Sequence, residues 1–162
     1  MRWLTQRYAI DWVKIDDAGA WWHGNAAINA NYFGYGETVS SGAPGVVVSV
    51  LNDLPENTPP SSLPGLAFGT ALGNHVIVDI GGDRFVTYAH LHMHVSDGAS
   101  NATGISSGKP WVFTGFRLVG TLINEEQWLN QGVVVPAQIG PVAAPIDRQN
   151  QLPLFAHVVV FP

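Results

Sequence analysis

The sequence contains no cysteine, so it can form neither a disulfide framework nor a thiolate metal site. It is also poor in charge: 12% of residues are Asp, Glu, Lys or Arg, with a formal net charge of −5. Basic residues are few and scattered, which leaves no electrostatic footprint for nucleic acid and no basic patch for a membrane surface. No apolar run approaches the ~20 residues of a spanning helix, so no transmembrane segment is expected. Nor does a signal-peptide core follow Met1-Arg2-Trp3-Leu4-Thr5. Cysteine-free chains occur on either side of a membrane, so that absence assigns no compartment.

What is present is apolar content, glycine and proline. The 162 residues are 46% hydrophobic, with 18 Gly and 11 Pro. That length suits one domain with a real core. The mixture predicts an all-β fold of antiparallel sheets and long loops rather than a helical one. No internal repeat is visible.

The most informative stretch is Tyr88-Ala89-His90-Leu91-His92-Met93-His94-Val95. Three of the six histidines stand here at every second position. On a strand, His90, His92 and His94 would share one face, with Leu91, Met93 and Val95 on the core side. A His-rich polar face is the plain explanation. A metal site is the sharper one, because neutral imidazole is the usual protein ligand for zinc. Geometry limits it: at a rise of ~3.3 Å per residue, His90 and His94 lie ~13 Å apart on a straight strand. Neighbouring histidines can chelate one ion, but further ligands must come from elsewhere.

Residues 7–15 alternate in the manner of a strand. Asp11 interrupts that run between Ile10 and Trp12. An aspartate there is either at a solvated edge or held by a cation or hydrogen-bond donors. Residues 16–19 read as a turn, and residues 21–36 as an aromatic loop with Trp21, Trp22, Tyr32, Phe33 and Tyr35. His23 in that loop reads as a surface or packing residue. Residues 46–51 read as a buried strand, and 52–73 as a long loop rich in Pro, Ser, Asn and Gly. Residues 74–80 and 84–95 predict a hairpin around Gly81-Gly82-Asp83, with the His cluster on the return strand. Residues 96–110 are a loop of small residues. Residues 111–123 are strand-like, 124–129 suit a helical turn or two, and short strands are expected at 133–136 and 154–161. His157, in the last of them, reads as structural.

The order of several short motifs resembles the lysostaphin/LytM-type zinc metallopeptidases (metallopeptidase family 23). The motifs are Tyr8-Ala9-Ile10-Asp11-Trp12, Tyr35-Gly36-Glu37-Thr38-Val39, Ala43-Pro44-Gly45-Val46-Val47, Gly73-Asn74-His75-Val76-Ile77-Val78-Asp79 and Tyr88-Ala89-His90-Leu91. The similarity covers roughly residues 5 to 95, and residues 111–120 are similar to an extension seen in some relatives. It implies one LytM-like peptidase domain over 1–162, with a core at about 5–95 and a C-terminal β extension at about 111–162. It also implies a groove, zinc as cofactor, and peptidoglycan or other peptides as partners. An extracellular or periplasmic setting goes with such substrates. By the resemblance, Asp11 and His92 match metal ligands, and His90 matches a catalytic residue that assists a zinc-bound water.

Three departures stand out. Gln6 and Arg7 occupy the place of the first-ligand His, and arginine cannot coordinate zinc. The Tyr-x-His-Leu and His-x-His motifs, normally separate, are merged in Tyr88 to His92. His94 lies where it could substitute as a ligand. Two expectations follow. One is a zinc peptidase in which Asp11, His92 and His94 hold the ion and His90 is the catalytic base. The other is a non-catalytic LytM-like binding or regulatory module that keeps the groove. An unrelated cupin-type metal barrel would want a Glu shortly after the His pair, and residues 95–104 contain none.

Overall fold

A computed structural model describes residues 8–57, 72–89, 92–98, 107–127 and 136–162. The fold is all-β, built on two antiparallel sheets. Among the described residues, no helix is long and apolar enough to cross a membrane. The chain divides into two compact units: residues 1–13 with 36–110, and residues 14–35 with 111–162.

The first unit holds a five-stranded sheet. Its strands are β1 (Ile10–Asp11), β2 (Val46–Leu51), β3 (His75–Asp79), β4 (Phe85–Ala89) and β5 (His92–Ser96), in the order β1-β5-β4-β3-β2. The β3–β4 hairpin forms where the sequence places it. Gly81 and Gly82 adopt positive φ, Asp79 Oδ1 accepts the Gly81 N–H at 2.7 Å, and Ile80 N–H reaches Arg84 O at 3.0 Å. Val78 then stands opposite Val86, and Ile77 opposite Thr87. Such cross-strand pairs each contribute about 0.2–1 kcal/mol.

The expected single return strand over 84–95 is instead two strands. β5 runs back along β4, with Ala89 opposite His92 and Thr87 opposite His94. Residues 90 and 91 are outside the described residues, so the expected strand position of His90 is too. The expected division into a core face and a polar face also fails in the middle of this sheet. Val78, Val86 and Val95 are buried on one face, and Ile77, Thr87, Ala89, His94 and Ser96 on the other. Both faces of the sheet are therefore buried around Val86, Thr87, His94 and Val95. A buried polar side chain there needs a partner to offset its desolvation.

The second unit holds a three-stranded sheet, β6 (Phe113–Leu122), β7 (Ile139–Gln151) and β8 (His157–Val160), in the order β7-β6-β8. Phe116 and Leu118 on the central β6 are buried. The Phe161 ring lies 4.6 Å from that of Phe113 and 6.3 Å from that of Phe116. The aromatic loop belongs to this unit. It closes on itself through a Trp22–Tyr32 bridge, with Trp22 and Tyr32 stacked at 5.7 Å. The expected turn at 16–19 is present: Asp16 Oδ1 accepts the N–H groups of Ala18 and Ala20, both at 2.9 Å. Ala137 N–H donates to Gly19 O at 2.7 Å, joining this turn to the C-terminal part of the chain. The helical turn is seen at 125–127; the expected strand at 133–136 falls almost wholly outside the described residues.

Candidate metal centre

Short as it is, β1 places Asp11. It pairs with β5 in the register Ile10↔Met93 and Asp11↔His92. Directly opposed residues on paired strands point to the same face. His92 and His94 are two apart on β5 and share that face as well. Asp11, His92 and His94 are thus brought together by one register and one alternation.

The three side chains form a hydrogen-bonded chain. His92 Nδ1 lies 2.7 Å from Asp11 Oδ1, and His92 Nε2 lies 3.2 Å from His94 Nδ1. An ionised carboxylate only accepts, so the His92 Nδ1–H is the donor in the first bond. In neutral His92 that leaves Nε2 with its lone pair, accepting from His94 Nδ1–H. The chain runs from solvent to interior. The Asp11 side chain is 82% exposed and that of His92 18%, while His94 is only 1% exposed as a residue. The His92 hydrogen bond holds the Asp11 carboxyl below the usual carboxylate range; partial burial opposes this, and the charge of His92 adds to it.

A second row extends across the same face. His75 pairs with Ala89, which pairs with His92, which pairs with Asp11. Alanine keeps the space between the two imidazoles free of a large side chain. His75 Nδ1–H donates to Gly73 O at 2.8 Å, which fixes its ring and leaves Nε2 as the free nitrogen of that tautomer. The sequence reading treated His75 only as part of a strand motif. Its place on this face follows from the two hairpin registers, and the Gly81-Gly82 turn could have supplied the first of them.

The remaining expected residues stand apart. His90, matched to the catalytic base, is outside the described residues, as are Gln6 and Arg7. His23 is exposed and packs edge-on against Phe33 at 4.7 Å. His157 accepts the Leu154 N–H at its Nδ1, and burial lowers its pKa, with Arg148 acting in the same direction.

Oxygen and imidazole donors are the right chemical type for zinc. Yet among the described residues, no group of three or more His, Cys, Asp or Glu is arranged to hold a metal ion. Two of the nitrogens nevertheless stand close together. Two ligands of a tetrahedral zinc with bonds of ~2.0–2.1 Å lie about 3.3 Å apart, and His92 Nε2 and His94 Nδ1 are 3.2 Å apart. Comparison with known proteins finds no matching family model, no matching curated protein and no matching solved structure.

Proposed function

We propose that this chain is a zinc metallopeptidase-type domain of the lysostaphin/LytM class that acts on cell-wall peptides. The observation that carries the reading is the convergence of Asp11, His92 and His94 on one face of the first sheet. The motif order in the sequence supports it. Zinc bound here would lower the pKa of a bound water to ~7 and polarise a scissile carbonyl. The chain's own residues supply the rest. Asp11 fixes the tautomer and orientation of His92, so that Nε2 faces His94 with its lone pair. Burial of His94 excludes water from the inner side of the pair. His90 takes the role of general base in this reading, by its match to the Tyr-x-His-Leu motif.

A second reading has an observation of its own. A catalytic zinc usually takes three protein ligands, and the described residues offer no such group. With Gln6 and Arg7 in the first-ligand place, that favours a non-catalytic module which binds peptide in the groove or regulates a partner.

One experiment separates the two. Protein purified without chelator is analysed for metal and assayed on cell-wall peptide, beside His92→Ala. For the enzyme, wild type carries zinc and hydrolyses peptide, and both fall together in the variant. Its melting temperature falls too, since an ion bound only to the folded state stabilises it by mass action. Metal-free wild type with no hydrolysis would leave the binding module.

A further inference from the structure

Within the metal-binding reading just given, on which it rests, we infer that the ion is held by His92 Nε2 and His94 Nδ1, and that Asp11 stands outside the coordination as a positioning residue. The resemblance would make Asp11 a ligand. The atoms argue otherwise.

Each ring nitrogen of a histidine points away from the other, so one ion takes only one of them. His92 spends Nδ1 on Asp11 and turns Nε2 to His94. Asp11 and His94 therefore lie on opposite sides of the His92 ring and cannot both join it around one ion. His92 Nε2 is the nitrogen left for an ion, because Nδ1 is already spent on Asp11. At 2.7 Å, the Asp11–His92 contact has the length of a charge-assisted N–H···O⁻ bond. It is shorter than the about 3.3 Å between two ligands of a tetrahedral zinc. At 3.2 Å, the hydrogen-bonded nitrogens of His92 and His94 already stand near that separation.

Burial agrees with this division. The Asp11 side chain is largely exposed, whereas the imidazole pair lies at and below the surface. A carboxylate that accepts from the far nitrogen of a ligating histidine fixes its tautomer and raises its basicity. On binding, the proton between the two rings passes to solvent. Two imidazoles fill two positions of the ion, and water or a bound ligand takes the others. For donors of this type, copper(II) binds more tightly than nickel(II), and nickel(II) more tightly than cobalt(II).

The test uses the full chain and the metal ion alone. Calorimetric titration with Zn²⁺ is run on wild type, Asp11→Asn, His92→Ala and His94→Ala. His92→Ala and His94→Ala are expected to lose binding. Asp11→Asn is expected to keep it, weakened about 10–100-fold, as for removal of an outer partner. His94 is buried, so its variant could fail to fold. Copper(II) paramagnetic resonance therefore counts coordinated nitrogens in wild type and Asp11→Asn without altering His94. Two imidazole nitrogens in both proteins support the inference. Loss of Zn²⁺ binding in Asp11→Asn, with one nitrogen in wild type, would make Asp11 a ligand; it would overturn the inference and leave the metal-binding reading intact. Wild type that binds neither ion would overturn both.

Discussion

Asp11 shows how a single register can change the chemistry of a residue. Its carboxylate is mostly in water, yet the His92 bond holds its pKa below the ordinary value of 3.8. A depressed carboxylate adds stability above its unfolded pKa, and that stability is lost as pH falls through the folded value. Urea unfolding of wild type and Asp11→Asn between pH 6 and pH 3 should therefore show a gap that narrows in acid. A gap independent of pH would mean that the His92 contact does not bias the carboxyl. The sequence left Asp11 either at a solvated edge or held by donors, and the structure gives both, an exposed carboxylate on the edge strand β1 that accepts from His92. The burial of His94 was not legible. His90 and Leu91 are not types that favour turns, so nothing local marks the pairing of Ala89 with His92.

At the scale of elements, β2 is the most exposed strand of its sheet and sits at its edge. Val46, Val47, Val48 and Val50 are all exposed, and the strand carries no charge. An uncharged edge of this kind is a template for pairing with other chains. Val46→Lys places a cation opposite Asp79. It is expected to raise the temperature at which light scattering begins on heating, while stability changes by no more than about 0.5 kcal/mol, as for an ordinary surface site. An unchanged scattering onset would show that this edge does not drive association. The sequence marked the positions of β2 and the β3–β4 hairpin, since apolar runs and a Gly-Gly turn are local signals, but residues 46–51, expected to be buried, are largely exposed. It did not mark β7. Pro141 and Pro145 argue against a strand, and the polar run from Asp147 to Gln151 reads as a loop. An edge position tolerates proline because its missing N–H faces outward, and β7 is such an edge.

Over the whole molecule, the expected split into a core and a C-terminal extension leaves out one piece. Residues 14–35 join the C-terminal strands, although they lie early in the chain. Gly19 carries part of that connection: its carbonyl accepts from Ala137, its φ is +78°, and a Cβ there would overlap the Ala137 carbonyl. Gly36 has a similar φ of +71° with open space around it. Gly36→Ala should cost only the left-handed backbone penalty, about 1–2 kcal/mol. Gly19→Ala should cost more, because backbone must also move. Equal midpoint shifts in urea would show that the approach to Ala137 is not tight. No local pattern announces this pairing, because a single hydrogen bond between residues so far apart leaves no periodicity behind.

The interleaving also has a genetic consequence. The chain passes between the units three times, at 13/14, 35/36 and 110/111. A stop codon after Pro110 would strand residues 14–35 without the strands they belong to. A crossover that imported a new C-terminal sheet would have to import a matching aromatic loop from upstream. A single crossover therefore cannot exchange either unit intact.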